Sequence, residues 1–250
     1  MNGYRRLPVE GLCNARELGG FPTGDGRMTN YGRFIRSEVP RAVTRRGLDF
    51  LRDYGVSVSI DLRGREEIKR IPNLLADEPW AEFINIPVYN KQVAGAVANS
   101  SPDSIVKWPD LYISMIDSQT EWIRDVLETL AEKSSSGAVM FNCTTGKDRT
   151  GMITALILAL AGVSYYDIVA DYCVSQVYLR PVYAEIFGTW DRSPVQDVHG
   201  LDDPFFKTVP ENMASLLIHI DNEYGGVPKY LERCGISSSA ISRLRAALLD

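Results

Sequence analysis

The sequence contains few of the residues that bind metals or form disulfides. Its 250 residues include only two His and four Cys. The cysteines lie far apart, with no C-x-x-C pair, at Cys13, Cys143, Cys173 and Cys234. Because zinc sites and disulfide frameworks use clustered His and Cys, this pattern argues against both. We expect free thiols, as in a reducing compartment, and neither a metal ion nor a cofactor.

Long hydrophobic runs and an excess of positive charge are also lacking. The longest apolar stretch, from Met152 to Val163, is shorter than the roughly 20 residues of a transmembrane helix. The first residues lead into no apolar segment of a secretory signal. The formal net charge is -5, whereas nucleic-acid-binding domains are usually basic. We therefore expect a cytoplasmic protein that neither spans a membrane nor binds nucleic acid, with leaderless secretion left open.

The apolar periodicity predicts an α/β fold. Alternating residues predict a strand at 56–62, and shorter apolar runs predict strands at 83–88 and 138–141. Asp25-Gly26 predicts a hairpin turn before a strand at 33–36. Since no repeat or linker divides the chain, we expect one domain over 1–250, with a core at about 12–175 and a helical C-terminal part at about 176–250, beside the sheet or over it as a lid. Helical patterns fit residues 44–54, 65–70, 118–132, 150–160, 165–179, 211–224 and 237–249.

The loop between the strand at 138–141 and the helix at 150–160 has the features of an anion site. A polar loop at a helix N-terminus presents backbone N–H groups and a positive dipole end. The same field favours the thiolate of Cys143, and Arg149 can bind two phosphate oxygens at once. Gly146 allows the tight turn that aims the amides inward. The predicted phosphate-binding residues are Thr144, Thr145, Gly146, Lys147, Asp148 and Arg149.

These residue types support nucleophilic catalysis. Attack of the Cys143 sulfur on phosphorus would give a phosphocysteine that water hydrolyses, with Arg149 and the loop amides stabilising the charge. The Thr150 hydroxyl would support the leaving thiolate, and no metal is required. A Walker A loop is excluded, since it needs Gly in place of Phe141 and Ser or Thr in place of Asp148. The structural alternative is an inert buried cysteine beside a surface arginine.

The loop from Cys143 to Gly151 resembles the signature of the cysteine-dependent tyrosine phosphatases. Its Gly-Lys-Asp-Arg-Thr-Gly form is similar to that of the atypical microbial tyrosine and phosphoinositide phosphatases. Segments 14–20, 25–27, 32–37 and 61–63 follow the order of landmarks in that family. The resemblance covers residues 14–151. It implies a central, mostly parallel sheet flanked by helices, and a monomer acting on phosphotyrosine in proteins or peptides, with phosphoserine, phosphothreonine and phosphoinositide headgroups as further substrates.

Departure of the leaving group needs a general acid, and two carboxylates are candidates. Asp148 lies inside the loop, and the matching residue is a favoured acid in the family it resembles. Asp61 follows a predicted strand whose end points to the same edge of the sheet. The structural alternatives are that Asp148 anchors the loop and that Asp61 caps the next helix.

Other residues near these motifs have two interpretations each. In related phosphatases, a lysine at the position of Lys147 accompanies acceptance of lipid headgroups with several phosphates, and the alternative is a solvated lysine. Arg63 and Arg65 would add phosphate contacts, or form a surface charge cluster with the glutamates at 66 and 67. Aromatic residues either line a lid or belong to the core: Tyr172, Tyr178, Tyr183, Phe187 and Trp190.

The sequence departs from the family pattern immediately before the nucleophile. Family members usually have His there, and this chain has Asn142, which carries no positive charge. We expect slower chemistry at neutral pH than with His, and not inactivity. One alternative is therefore a pseudophosphatase that only binds phosphate. Another is a redox enzyme similar to arsenate reductases, which share Cys-x5-Arg but need resolving cysteines close by.

Overall fold

A computed structural model describes residues 5–88, 108–180, 183 and 206–250. At its centre is a five-stranded sheet in the order β1-β2-β5-β3-β4. β1 pairs with β2 in an antiparallel sense, and the other neighbours are parallel. The predicted α/β fold with a mostly parallel sheet is thus confirmed. The strands are β1 (Arg16–Glu17), β2 (Phe34–Ser37), β3 (Val56–Asp61), β4 (Glu82–Asn85) and β5 (Ala138–Asn142).

Helices flank the sheet, and all seven predicted helices are present with small changes in their bounds. Two helices in the described ranges were not predicted, Trp108–Ser118 and Val227–Arg233, because each has a proline in its first turn, in a segment that resembles a loop. None of the described helices is long and apolar enough to cross a bilayer. The helices are α1 (Arg45–Tyr54), α2 (Arg65–Arg70), α3 (Trp108–Ser118), α4 (Thr120–Lys133), α5 (Asp148–Leu160), α6 (Tyr165–Leu179), α7 (Pro210–Tyr224), α8 (Val227–Arg233) and α9 (Ser238–Leu249).

The predicted turn at Asp25-Gly26 is present, but its second arm was predicted wrongly. Thr23 N donates to Arg27 O at 2.9 Å, and the arms meet at a bridge between Pro22 and Met28. β2 pairs instead with β1 and with the central strand β5. All four residues of β2 are buried, as expected for a strand inside a layered sheet.

Both faces of the sheet are buried at its central strand, β5, whereas the edge strand β4 is partly exposed. On β5, Val139 and Phe141 belong to the larger hydrophobic cluster, whereas Ala138 and Met140 belong to the smaller one. This alternation follows from side chains pointing to opposite faces of a strand. The larger cluster includes residues from α3 to α9, and the smaller one includes α1 and the N-terminal segment. The helical C-terminal part therefore packs into the same core as the sheet.

The carboxyl ends of the four parallel strands lie in one row. The register pairs Ser37 with Asn142, Asn142 with Asp61, and Asp61 with Asn85. In open α/β sheets, ligands bind beyond this edge. The loop that starts at Cys143 leaves the central strand of this row and leads directly into α5.

Candidate active site

Two side chains behind the loop from residue 143 to 149 hold it in place by donating hydrogen bonds to its backbone carbonyls. Asn14 Nδ2 donates to Thr145 O at 3.0 Å, and Arg36 Nη2 donates to Gly146 O at 2.7 Å. A trans peptide directs its N–H away from its C=O, and none of the peptide bonds in the described ranges is cis. Since these two carbonyls point backward, the N–H groups of the same two peptides point toward the other side of the loop.

Gly146 has no substitute in this loop conformation. Its φ is +68°, in the left-handed region that favours glycine. A Cβ atom at this position would lie 2.2 Å from Ser37 O, so the strand end of β2 leaves no space for a side chain. The tight turn expected from the sequence is therefore present, with a close backbone approach behind it.

A buried charge cluster lies behind the loop. Arg16 Nε is 2.8 Å from Asp171 Oδ1, and Arg36 Nη1 is 2.7 Å from Oδ2, with all three side chains at most 2% exposed. Burial and the Arg16 charge lower the pKa of Arg36 to about 10, against the opposing effects of Asp171 and Cys143. Burial alone would raise the pKa of Asp171, but the two arginines hold it below its ordinary value. The cluster links the loop to α6.

Sequence reasoning treated these residues only as family landmarks and missed their role in supporting the loop. For Arg36 a signal was available, since it lies in the strand predicted at 33–36, and an arginine buried in a strand needs an anionic partner. For Arg16 there was none, since the sequence indicated turns rather than a buried strand in that region. The partner, Asp171, is more than 130 residues away in sequence, and nothing local identifies it.

The nucleophile candidate, Cys143, lies at the end of β5 and is 2% exposed. Its neighbour Asn142 donates from Nδ2 to Cys143 O at 3.2 Å and accepts from Asn73 Nδ2 at 3.2 Å. The asparagine thus hydrogen-bonds the loop backbone. Asn73 was not recognised from the sequence.

Arg149 is fixed by an ion pair with Glu67. Its Nη1 and Nη2 donate to the two carboxylate oxygens at 2.8 and 2.7 Å, and Thr144 Oγ1 donates to Glu67 Oε1 at 2.8 Å. Burial would raise the pKa of Glu67, but Arg149 outweighs it and lowers that pKa to about 2. Nη1 and Nη2 also donate to Leu62 O at 3.4 Å and to Thr144 Oγ1 at 3.3 Å. A guanidinium has five N–H donors, so a phosphate could bind through Nε–H and by replacing these two longer bonds.

Sequence reasoning assigned Glu67 to a surface charge cluster and missed this contact. The first turn of α2 follows β3 closely, and this places Glu67 at the same sheet edge as the loop. The sequence did contain a signal. Glu67 comes shortly after the end of a predicted strand, and that strand end lies at the same sheet edge as the loop that contains Arg149.

Asp148 is the first residue of α5 and is 25% exposed. It accepts a hydrogen bond from Tyr112 Oη, and Lys147 Nζ lies 3.6 Å from its Oδ1 atom. The lysine is 3% exposed, with Nζ 4.5 Å from the centroid of the Trp108 ring, so the alternative of a solvated lysine is wrong. Burial lowers the pKa of Lys147, with Asp148 acting in the opposite direction.

Asp61 lies at the same sheet edge, but its carboxylate is engaged elsewhere. Its Oδ2 accepts from Arg63 Nη2 at 2.8 Å and from Asn73 Nδ2 at 3.0 Å, and its Oδ1 accepts from Arg63 Nε at 2.9 Å. Both charged side chains are fully buried, so Arg63 belongs to no surface cluster. Asp61 does not cap α2 either, since the N-cap residue is Gly64.

The other residues expected at the site lie in different places. Thr150 Oγ1 is buried and, in the part of the chain that the structure describes, has no hydrogen-bond partner. Tyr172 and Tyr183 are buried in the core, whereas Phe187 and Trp190 lie outside the described residues. Within residues 5–88, 108–180 and 206–250, no three His, Cys, Asp or Glu side chains form a group suited to a metal ion.

This arrangement can bind and attack a phosphate ester. The loop offers inward amides and the positive end of α5. Cys143 lies at its beginning, Arg149 at its end and a partly exposed carboxyl, Asp148, beside the arginine. Such groups can supply a nucleophile, charge stabilisation and a proton.

The sequence is similar to those of known tyrosine phosphatases. A family model described as the tyrosine phosphatase family matches residues 7–250. A tyrosine-protein phosphatase from Nostoc commune is 30% identical over 86% of this chain and 74% of its own length. The triple specificity protein phosphatase PtpB from Mycobacterium tuberculosis is 32% identical over 98% of this chain and 99% of its own length. The crystal structure of TpbA from P. aeruginosa gives a TM-score of 0.36 at 16% identity, over 62% of this chain and 83% of that chain. The match from residue 7 to 250 and the two relatives establish that the chain belongs to the tyrosine phosphatase family.

Proposed function

We propose that this chain hydrolyses phosphotyrosine in proteins or peptides through a phosphocysteine at Cys143, without a metal ion or cofactor. The observation that carries the proposal is the loop itself, with a buried thiol at its start, carbonyls bound from behind, and Arg149 fixed at its end by Glu67. The family description and the name of the Nostoc commune relative, a tyrosine-protein phosphatase, support phosphotyrosine as the first substrate class.

The reaction has two steps. In the first, the Cys143 thiolate attacks phosphorus, the ester P–O bond breaks, and Asp148 gives a proton to the leaving oxygen. In the second, water attacks the phosphocysteine, the P–S bond breaks, and Asp148 takes the proton from the water. Arg149 and the loop amides stabilise the charge on the transferring group, and the Thr150 hydroxyl donates to the returning thiolate.

We assign the general acid to Asp148 rather than to Asp61. A general acid must reach the leaving oxygen and exchange its proton. The carboxyl of Asp148 is partly exposed beside the loop, whereas both oxygens of Asp61 accept hydrogen bonds inside the protein. Asp61 instead holds Asn73, which in turn contacts Asn142 at the start of the loop.

We also propose that the site accepts phosphoserine, phosphothreonine and phosphoinositide headgroups. Lys147 adds a second positive side chain next to Arg149, and it lies beneath Trp108 rather than in solvent. A second cation favours substrates with several phosphates. A panel of phosphoinositides and phosphopeptides, compared between the wild type and Lys147→Gln, tests this. An equal loss of hydrolysis rate in Lys147→Gln on all substrates would contradict a role for Lys147 in the choice of headgroup.

The first test is hydrolysis of a phosphotyrosine peptide in EDTA at several pH values. We expect turnover that is lost in Cys143→Ser and kept in Cys173→Ser, which alters a free thiol on α6 as a matched control. Turnover that needs an added metal would contradict the mechanism. Peptide binding without turnover at any pH would favour the phosphate-binding module, and Asn142→His would be the next variant.

The acid is tested with aryl phosphates whose leaving groups differ in basicity. General acid catalysis contributes about 10²–10⁴-fold. In Asp148→Asn we expect most of that loss with phenyl phosphate and little with p-nitrophenyl phosphate, whose leaving group needs no proton. Asp61→Asn serves as the matched control and is expected to change both rates equally. A leaving-group dependence in Asp61→Asn alone would transfer the role to Asp61.

A further inference from the structure

Three buried side chains connect Asp148 to the helical C-terminal part. Tyr112 on α3 donates from Oη to Asp148 Oδ1. The Oη atoms of Tyr112 and Tyr172 are 2.8 Å apart, and Asn212 Nδ2 on α7 donates to Tyr172 Oη at 3.1 Å. The exposed fractions of these three side chains are 0%, 1% and 3%. The chain of hydrogen bonds therefore crosses the protein interior without solvent.

The chemistry of the groups sets the direction of every bond. An ionised carboxylate can only accept hydrogen bonds, so Tyr112 must donate its one hydroxyl proton to Asp148. The oxygen of Tyr112 must then accept from Tyr172, whose own oxygen accepts from the amide N–H of Asn212. The four groups thus form a single donor series that ends on one oxygen of the acid.

Both phenols stay protonated in this environment. Burial is the main cause that raises the pKa of Tyr112 and of Tyr172, and the negative charge of Asp148 raises both further. Neither hydroxyl can therefore take up the proton of Asp148 as a base in the ordinary working range of an enzyme. Their role toward the carboxyl is to hold it.

The packing around Tyr172 is a second, independent observation that α3, α5 and α6 contact each other closely at this point. The rings of Tyr112 and Tyr172 meet edge to face, with centroids 6.1 Å apart. A Cβ atom added at Gly151, in the first turn of α5, would lie 3.3 Å from the Tyr172 ring. The glycine thus lets the helix that begins with Asp148 approach the tyrosine closely.

We propose that Tyr112 is a positioning residue for the general acid, and that Tyr172 and Asn212 support it. By holding Oδ1, Tyr112 leaves Oδ2 to carry the proton toward the leaving group. The inference rests on the proposed function, since it presupposes Asp148 as the acid. In this proposal α3, α6 and α7 contribute to catalysis, because their side chains position the acid of the loop.

The test is Tyr112→Phe, with the leaving-group dependence as the readout. A hydrogen bond to a charged group that is lost changes a rate by roughly 10–100-fold. We expect kcat/KM for phenyl phosphate to fall by about that factor, with little change for p-nitrophenyl phosphate and with KM nearly constant. Tyr230→Phe is the matched control, because its buried hydroxyl donates to Ile116 O of the same helix at 2.8 Å. The control should leave the ratio of the two rates unchanged.

Two further variants keep the outcomes distinct. Tyr172→Phe removes the donor to Tyr112 and should shift the ratio in the same sense by a smaller factor, so it carries the test where Tyr112→Phe fails to fold. In Tyr112→Phe combined with Asp148→Asn, the ratio should equal that of Asp148→Asn alone. If Asp148→Asn changes the ratio but neither tyrosine variant does, the positioning role is wrong and the proposed acid stands. If Asp148→Asn does not change it, both assignments are wrong.

Discussion

Within the described residues, Asp171 is the single carboxylate between two buried guanidinium groups behind the loop at 143–149. It accepts from Arg16 at 2.8 Å and from Arg36 at 2.7 Å, and Arg5 lies farther away at 3.7 Å. Asp171→Asn preserves the volume but removes the charge. It also replaces one acceptor oxygen with an N–H₂ donor that faces a guanidinium, which is itself only a donor. Two buried cations are then left without a close counter-charge.

The magnitude follows from the burial of all three groups. Removing one partner of a buried ion pair costs about 3–5 kcal/mol. With an m-value of roughly 3 kcal/mol/M for urea, at the upper end for small proteins, the unfolding midpoint of Asp171→Asn should fall by about 1–1.7 M. Asp25→Asn is the control, because Asp25 forms an equally short pair with Arg27 that is about half exposed, and such pairs contribute little.

The pH dependence of this difference has a definite sign. The pKa of Asp171 in the folded protein lies below its ordinary value of 3.8, so its contribution is fully present above that value. As the pH falls through the folded-state pKa, the wild type loses the contribution, and the midpoints of wild type and variant should converge. Urea titrations at several pH values measure both effects. A midpoint for Asp171→Asn no lower than that of Asp25→Asn would refute the reasoning.

Two other predictions concern the loop and its arginine. In Gly146→Ala, a φ of +68° and a Cβ only 2.2 Å from Ser37 O force the loop to shift, so the affinity for inorganic phosphate, measured by calorimetry, should fall more than about tenfold; an unchanged affinity would mean that the loop geometry is not needed. The Glu67 pKa of about 2 lies below its ordinary 4.5, so its contribution is present above pH 4.5 and is lost as the pH falls toward 2. Glu67→Gln should lack that part of the acid-induced loss of stability, and thermal melts that show the same pH dependence in both proteins would contradict the assignment.

The sequence was sufficient to predict the strand, loop and helix around Cys143, because those signals are local. An apolar strand, a polar turn with glycine and a buried helix follow one another within about twenty residues, and each pattern is set by neighbours along the chain. The parallel strands then place Ser37, Asn142 and Asp61 at one edge by geometry alone. The position of the candidate site in the fold could therefore be predicted before any packing was known.

The partners of the acid and of the arginine could not be predicted in this way. Tyr112 and Tyr172 meet Asp148 from helices that are distant in sequence, and only the packing of α3, α5 and α6 brings their hydroxyls into line. For Arg63 the partner was close in sequence and the burial was missed. An arginine beside glutamates suggests an exposed position, yet Arg63 pairs with Asp61, two residues away, and both side chains are buried. Alternation of charge along the chain says little about burial when the charges pair with each other.

The central claim is that Cys143 carries the phosphoryl group between the two steps. The most direct measurement is rapid quenching of the enzyme in acid during turnover of a phosphotyrosine peptide, followed by digestion and mass spectrometry. We predict that the peptide containing Cys143 gains the mass of one phosphoryl group, and that no such peptide forms in Cys143→Ser. A phosphoryl group found on Asp148 or another residue, or turnover without any phosphorylated peptide while Cys143→Ser remains active, would contradict the account.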